Sequence, residues 1–316
     1  MAEGSSHKTI FAAIAANLAI AITKFIAATM TGSSAMLSEG IHSVVDTSNE
    51  LVLLYGIHRG QRPPDTEHPF GHGRELYFWT LIVAILIFAI GGGMSIYEGI
   101  THLIRPSPIE NPTWNYIVLG LAFVFEGFSW TVALREFIPS VGDRSLWQAV
   151  RASKDPTIFT VLFEDSAALL GLIVAFLGIF LGHSLENPWF DGGASIIIGS
   201  ILILVAIILA RESKSLLVGE GVDAATARHL RSLVLADPSV DNVLRLLTLY
   251  FSPHEILLNI EIQFRRNLTI EEVVQAIDRI EFIIQRHYPD IRDIFVEAES
   301  LTRRERSGQE VGGEDG

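Results

Sequence analysis

The stretch SEGIHSVVDTSNE, residues 38–50, decides the fold class of this chain because it places charged side chains inside an apolar segment. The segment around it, residues 35–58, has about the length that crosses a bilayer as a helix. A charged side chain in the middle of a bilayer costs about 2.5–3.5 kcal/mol, unless it faces another helix, water or an ion. The stretch therefore predicts one helix of a membrane bundle whose polar face points away from lipid. That face carries Glu39, His42, Asp46 and Glu50.

Further apolar windows predict an α-helical membrane protein with six transmembrane helices. Of the 316 residues, 49% are hydrophobic, and the apolar windows are residues 9–30, 35–58, 75–104, 114–137, 157–182 and 190–210. Lys and Arg are concentrated in the connections after spans two and four and in the segment after span six, whereas the opposite side carries Arg105 alone. By the positive-inside rule, both termini are expected to face the cytoplasm.

Charge and cysteine content exclude several classes of protein. The net charge of −13 argues against a nucleic-acid partner. Because the chain has no cysteine, disulfides and thiolate metal sites are excluded. The few residues before the first span leave no room for a transit peptide, so we expect an integral multi-pass protein of a bacterial inner membrane.

Residues 214–301 are predicted to form a small cytoplasmic α+β domain that follows a transmembrane domain of residues 1–213. The periodicity changes there to an αββαβ order, typical of two-layer ferredoxin-like and metallochaperone-like domains. Thr269 and Glu272 form a capping-box signature at the start of the second helix, whose predicted apolar stripe runs from Ile270 through Val274 to Ile284. Residues 302–316 are polar and glycine-rich and are predicted to be disordered.

The candidate metal ligands lie in two of the spans. His42 and Asp46 are four residues apart and so share one face of a helix. A lone buried His–Asp pair has a simpler interpretation as a hydrogen bond that holds two helices together. The fifth span, however, sets Glu164 beside Asp165 without a cation in that helix, and two such carboxylates repel each other. A divalent cation resolves the repulsion; its predicted ligands are His42, Asp46 and Asp165, with Glu164 as the fourth.

The ligand types restrict the ion and indicate a function. Imidazole with carboxylates favours Zn²⁺, accommodates Mn²⁺, Fe²⁺ or Co²⁺, and suits Ca²⁺ and Mg²⁺ poorly. Every ligand also binds protons, so we predict a transporter that exchanges divalent metal cations for protons, with no catalytic residue and no cofactor beyond the transported metal. Two alternatives stay open. One is a membrane-embedded metallohydrolase with Glu164 as general base, and the other is a metal sensor that signals through its soluble domain.

Four motifs resemble those of the cation diffusion facilitator family, the proton-coupled metal exporters of the zinc-transporter type. They are SEGIHSVVD from Ser38, DTEHPFGHGRELYFW from Asp65, SIYEGITHLIRPSP from Ser95 and DGGASIIIGSIL from Asp191. Together with the αββαβ domain, the resemblance covers nearly the whole chain. It implies a homodimer in a lipid bilayer that exports metal by alternating access. The adjacent acidic pair is similar to the divergent branch that includes the mitochondrial zinc transporter.

The resemblance also assigns residues and shows one departure. His42, Asp46 and Asp165 fall on three of the family's four transport ligands. The fourth position is Val161, which binds no metal, so Glu164 is the candidate replacement. Because an extra carboxylate hardens the site, a preference for Mn²⁺ or Fe²⁺ within the same family is the alternative to zinc.

Two further regions have family counterparts. In the loop between spans two and three, Asp65, His68 and His72 match the family's second, cytoplasmic-side metal site; the alternative is an ordinary loop rich in histidine and turn-forming residues. In the soluble domain, the positions where relatives hold ligands carry Asn259, Glu297 and Glu299. We therefore expect that domain to dimerise and to bind metal weakly or not at all, and we interpret His229 and His287 as surface helix residues.

Overall fold

The structure is a computed structural model that describes residues 3–107, 112–141 and 153–299. The chain divides into two compact units. The first unit comprises Met1–Pro63 and Glu75–Lys214, and the second comprises Pro64–Arg74 and Ser215–Gly316. The second unit thus includes the connection between the second and third predicted spans. The predicted disordered tail, residues 302–316, lies outside the described residues.

The first unit is built from helices, which we number in chain order. They are α1 (Glu3–Thr31), α2 (Ser34–Gly60), α3 (Glu75–Leu86), a π-helical segment (Ile87–Gly92), α4 (Gly93–Ile104), α5 (Thr113–Val141), α6 (Pro156–Ser184) and α7 (Trp189–Val218). Among the described residues, four helical stretches are long and apolar enough to cross a membrane: Glu75–Ile104, Thr113–Arg135, Phe159–Ser184 and Trp189–Val218. The chain is therefore an α-helical membrane protein. Within the part of α1 whose side chains the structure describes, Asn17–Thr31 is a shorter apolar stretch, and α2 carries three carboxylates, so the count of six spans stays a prediction.

Close backbone approach joins the third span to α7. A Cβ atom added at Gly99 would lie 2.7 Å from the Gly192 carbonyl oxygen, and one at Gly199 would lie 2.8 Å from the Gly92 carbonyl oxygen. Small residues at such crossings let membrane helices pack without side chains between them.

Local sequence fixes where the helices that carry the predicted ligands begin. A tight turn at Gly32, whose φ of 71° favours glycine, brings α2 back beside α1. The Ser33 side chain then caps α2 by accepting a hydrogen bond from the Met36 N–H. Helix α6 begins at Pro156, after Asp155 accepts a hydrogen bond from the Thr157 N–H at 2.9 Å.

The second unit contains a three-stranded sheet with two helices. In chain order it has α8 (Ala224–Leu235), β1 (Val240–Ser252), β2 (Glu255–Phe264), α9 (Ile270–His287) and β3 (Ile291–Glu299). The strands lie in the order β1-β2-β3; β1 and β2 are antiparallel, and β2 and β3 are parallel. This is the predicted αββαβ order, and it corresponds to a ferredoxin-like βαββαβ arrangement without its first strand.

The core of this unit follows the predicted alternation along β2. Ile256, Leu258, Ile260 and Ile262 are buried, together with Leu230 and Val234 of α8 and Ile280 and Ile284 of α9. The capping box of Thr269 and Glu272 is present as predicted. The predicted stripe of α9 is wrong in its first turns, because Ile270 is 85% exposed and Val274 is 51% exposed. The buried line of that helix runs instead through Ala276, Ile280 and Ile284 at a spacing of four.

Candidate metal centre

His42, which is buried, and Asp46, which is 17% exposed, form a pair on α2. Nδ1 of His42 lies 3.3 Å from Oδ1 of Asp46, and the histidine side chain is 2% exposed. Neither ring nitrogen of His42, nor Oδ1 of Asp46, has a hydrogen-bond partner among the residues that the structure describes. A buried polar atom without a partner costs about 1–3 kcal/mol, so such atoms in native proteins need an explanation, and a bound ion or water is one of them. The pair therefore offers an imidazole nitrogen and a carboxylate oxygen that could hold a cation.

A polar cavity of about 50 Å³ opens beside this pair, inside the helices of the first unit. Its walls come from α1, α2, α5 and α6, and five of its lining residues are carboxylic acids: Asp46, Glu50, Glu126, Glu164 and Asp165. A water molecule needs about 10–15 Å³ of such space, so the cavity has room for one ion with a few waters. Val161, the position where the family places its fourth ligand, also lines the cavity and adds no polar atom there.

Glu164 and Asp165 face the same cavity with different partners. Oε1 of Glu164 accepts a hydrogen bond of 2.7 Å from the Asn49 side chain, and Oδ2 of Asp165 accepts one of 2.8 Å from the Ser129 hydroxyl. Asn49 lies on α2 and Ser129 on α5, so each carboxylate is oriented by a different neighbouring helix. Each bond occupies one carboxylate oxygen and leaves the second for a proton or an ion.

The four predicted ligands are therefore neighbours that do not form a closed cluster. Asp46, Glu164 and Asp165 line one cavity, and His42 contacts Asp46. Within the described ranges, the only set of three or more metal-binding side chains whose ligand atoms all lie within 4.8 Å of one another is Asp65, His68 and His72. The four-residue ligand set stays a prediction.

The loop residues Asp65, His68 and His72 do come together. Oδ1 of Asp65 lies 3.3 Å from Nδ1 of His68, Oδ2 lies 3.0 Å from Nε2 of His72, and the two imidazole rings have centroids 4.2 Å apart. One carboxylate with two imidazoles is a donor set that Zn²⁺ prefers. The ordinary-loop alternative does not require this convergence, although the function of the set stays a prediction.

Contacts within the second unit hold this loop. The Phe70 ring stacks on the Phe251 ring of β1, with centroids 4.9 Å apart, and the Arg74 guanidinium lies 5.0 Å from the same Phe251 ring. A Cβ atom at Gly73 would lie 2.7 Å from the Phe251 carbonyl oxygen, so only glycine fits there. Asp65, His68 and His72 are thus part of the same compact unit as the sheet.

Asp65 is expected to stay ionised well into acid. The backbone N–H of His68 and, next, the ring of His72 hold the pKa of Asp65 at about 2, below its ordinary value of 3.8. Because this pKa is lowered in the folded protein, the stability that Asp65 contributes is present above about pH 4 and is lost as the pH falls toward 2. The ¹³C shift of the Asp65 carboxyl carbon, assigned by its loss in Asp65→Asn, should therefore titrate near pH 2. Titration near 3.8 would contradict these hydrogen bonds.

Comparison with known proteins identifies the family. The model of the cation efflux transmembrane domain matches residues 10–218. The chain belongs to the cation efflux family. This confirms the resemblance to the cation diffusion facilitators. Members of this family are transporters and not enzymes, which removes the metallohydrolase alternative.

The relatives of this chain include one protein named for zinc and one named for manganese. The proton-coupled zinc antiporter SLC30A9, mitochondrial, of Xenopus laevis is 36% identical over 235 residues, which are 74% of this chain and 42% of that protein. Metal tolerance protein C4 of Arabidopsis thaliana is 28% identical over 279 residues, 88% of this chain and 61% of that protein. The manganese efflux system protein MneP of Bacillus subtilis (strain 168) is 23% identical over 300 residues, 93% of this chain and 96% of that protein. The chain thus spans less than half the length of the SLC30A9 relative.

One buried ion pair in this cation efflux protein was missed by sequence reasoning. Lys24 of α1 and Glu39 of α2 are both fully buried, and the Lys24 ammonium donates to Glu39 Oε2 at 3.1 Å and to the Ser43 hydroxyl at 2.8 Å. Gly171 of α6 leaves the space that Glu39 Oε1 occupies. A lysine inside an apolar span is as costly to bury in the membrane as a carboxylate. Lys24 in the first span was therefore the sequence signal for a buried ion pair.

A second missed residue, Asp191, anchors the start of α2. Its buried carboxylate accepts hydrogen bonds from the Ser33 hydroxyl at 2.7 Å and from the backbone N–H of Ser34. An acidic group at a helix N-terminus satisfies free N–H groups and the helix dipole. Because Asp191 is the third residue of α7, these bonds join α7 to the N-terminus of α2, the helix that carries His42 and Asp46.

Proposed function

We propose that this protein is a proton-coupled antiporter that exports a divalent metal cation from the cytoplasm, with Zn²⁺ as its main cargo. The observation that carries the proposal is the polar cavity among apolar helices, which Asp46, Glu164 and Asp165 line. His42 contacts Asp46 there, and its ring nitrogens have no hydrogen-bond partner among the described residues. Ionisable side chains at membrane depth are costly, and they persist where they carry ions or protons.

Competition between metal and protons for the same atoms supplies the coupling. When the site faces the cytoplasm, the carboxylates and the imidazole release protons and bind the metal. When the site faces the other side, protons displace the metal and the protonated ligands return. The fluxes are coupled because the two states differ in their relative affinity for metal and protons.

Alternating access requires the same site to face each side of the membrane in turn. We therefore ask which helices form the site and would move together. All four wall helices, α1, α2, α5 and α6, contribute side chains to the cavity, so we propose that they rock together relative to α3, α4 and α7. In this proposal α1 and α2 also cross the membrane, which gives six spans and places both termini in the cytoplasm. Trypsin added to inside-out vesicles should then cleave after Arg265 or Arg266, which are exposed in the loop between β2 and α9.

The setting and the assembly belong to the same proposal. We place the protein in a bacterial inner membrane as a homodimer joined through its second unit. The alternative is a mitochondrial membrane, as in the name of the Xenopus laevis relative. Crosslinking in native membranes, followed by mass measurement, tests the dimer.

A second candidate cargo follows from Glu164. Because Glu164 adds a carboxylate oxygen where other members place a ligand one turn earlier, Mn²⁺ or Fe²⁺ is the alternative cargo, and Co²⁺ is also accommodated. The Bacillus subtilis relative carries manganese in its name.

Val161→His is expected to shift selectivity toward zinc. The substitution places an imidazole on the wall of the cavity beside Asp165, and nitrogen ligands favour Zn²⁺ over Mn²⁺. We expect the ratio of Zn²⁺ to Mn²⁺ transport to rise about 10-fold, as for a gain of about 1.4 kcal/mol in relative affinity. Val161→Leu is the matched control, because it fills the space without a ligand. An equal rise in Val161→Leu would show that cavity shape and not ligand chemistry sets selectivity.

Metal uptake into proteoliposomes under an imposed pH gradient tests the proposed function. The scan should cover Zn²⁺, Mn²⁺, Fe²⁺ and Co²⁺, each with and without the gradient. We expect gradient-dependent uptake with Zn²⁺ fastest. If uptake of Mn²⁺ or Fe²⁺ is fastest, that ion and not Zn²⁺ is the main cargo. No uptake of any ion would overturn the proposal.

A further inference from the structure

Two histidines of the second unit meet on the surface formed by its helices. His229 lies on α8 and His287 is the last residue of α9; both are exposed, and their ring centroids are 5.9 Å apart with planes at 78°. They are far apart in sequence and come together because α8 and α9 pack beside each other in this unit. Neither takes part in the transport cavity or in the loop set of Asp65, His68 and His72.

Each ring has its Nδ1 atom engaged. Nδ1 of His287 lies 2.9 Å from the Ile283 carbonyl oxygen, and Nδ1 of His229 lies 2.6 Å from the Tyr288 hydroxyl. A carbonyl only accepts, so Nδ1 of His287 carries the hydrogen, and the neutral ring keeps its lone pair on Nε2. The Tyr288 oxygen can accept from Nδ1 of His229 in the same way. Metal-binding histidines commonly donate their second ring N–H to a carbonyl or another acceptor, which fixes the tautomer.

The ring separation suits one shared ion. With a Zn–N bond of about 2.0–2.1 Å, each ring centroid lies about 3.2 Å from the metal, so two rings on one ion have centroids at most about 6.4 Å apart. A tetrahedral angle at the metal gives about 5.2 Å. The observed 5.9 Å lies between these values, so the ring separation matches two imidazoles that share one ion.

We propose that His229 and His287 form a metal site that takes one imidazole-preferring divalent cation, with Zn²⁺ as the reference ion and water as the remaining ligands. Two nitrogen donors favour Zn²⁺ or Cu²⁺ and disfavour Ca²⁺ and Mg²⁺. The ion links α8 to α9, so binding stabilises the folded unit, and the stabilisation grows with the logarithm of the free metal concentration above Kd. This site differs from the positions to which the family resemblance assigns ligands. In this chain those positions include Asn259 and Glu297, and Asn259 donates a hydrogen bond of 3.3 Å to Glu297. The site goes beyond the proposed transport function and does not depend on it.

Histidine modification read by mass spectrometry tests this site in the full-length protein in detergent. Diethyl pyrocarbonate reacts with unprotonated ring nitrogens, and a bound metal blocks them. We expect Zn²⁺ to slow the modification of His229 and of His287 at least about 5-fold, with one half-saturating concentration for both. His254 is the matched control, because it is an exposed histidine of the same unit with a side chain 78% exposed. Its rate should not change.

Variants decide whether the two rings share one ion. In His229→Ala the protection of His287 should disappear, and in His287→Gln the protection of His229 should disappear; both positions are exposed, so the fold should be retained. Tyr288→Phe should raise the half-saturating Zn²⁺ concentration about 10-fold, the usual loss when a partner of a ligand is removed. Protection of His287 that survives in His229→Ala would overturn the proposal. So would equal protection of His254, or no protection at either histidine.

Discussion

Asp46→Asn is expected to abolish metal transport while the protein still folds and inserts. Asparagine keeps the shape of the side chain and removes its charge, so the cavity loses a ligand and a site for protons together. Among the described residues, Asp46 is the only predicted ligand that both contacts His42 and lines the cavity. We expect the initial rate of Zn²⁺ uptake to fall at least about 100-fold, because even the loss of a partner of a ligand costs 10–100-fold.

The control for this variant is Ser48→Ala. Ser48 lies on the same helix, is exposed, and bonds only the Val44 carbonyl of its own helix among the described contacts, at 2.8 Å. Uptake in Ser48→Ala should match that of the unaltered protein when vesicles contain equal amounts of protein. Uptake retained in Asp46→Asn would show that Asp46 is not a transport ligand.

Lys24→Met is expected to destabilise the membrane unit severely. The substitution leaves the fully buried Glu39 without its cation, and removal of one partner of a buried ion pair costs about 3–5 kcal/mol. At about 2–4 °C per kcal/mol for a unit of this size, the midpoint of thermal unfolding in detergent should fall by about 10 °C. The fraction of monodisperse protein after purification should fall with it.

The double variant Lys24→Met/Glu39→Gln separates the charge from the packing. It removes both charges, so most of the lost stability should return, since replacing a whole buried pair is often nearly neutral. Failure of the double variant to exceed Lys24→Met in unfolding midpoint would show that Lys24 acts through its shape and not through Glu39.

The fold of the second unit was predictable because each of its elements carries its pattern within itself. Alternation along β2 and the capping box at Thr269 depend on neighbouring residues, and both are present. The stripe of α9 was only partly correct, because an apolar residue such as Ile270 can lie beyond the sheet that the helix covers. The span count was harder: the carboxylates that suggest a site in α2 also lower its apolar character.

The site was predictable within one helix and not between helices. The spacing of His42 and Asp46 fixes their shared face, and the structure has them in contact. Which carboxylate of α6 meets which neighbour depends on the rotation and depth of each helix, and sequence spacing does not set these. The pairing of Glu164 with Asn49, and of Lys24 with Glu39, therefore emerges only from the packed helices.

The same limit explains the pair on the second unit. His229 and His287 each look like ordinary surface residues on separate helices, and only the packing of α8 beside α9 brings their rings to 5.9 Å. No periodic pattern in the sequence marks a pair of residues so far apart along the chain.

The central claim is that metal and protons exchange at one cavity, and simultaneous measurement of both fluxes tests it most directly. Proteoliposomes loaded with a pH dye and a Zn²⁺ dye should show zinc entering as the interior becomes more alkaline, with no gradient imposed at the start. Both signals should vanish together in Asp46→Asn. Zinc entry without a change in interior pH, or a proton flux that persists in Asp46→Asn, would contradict the account.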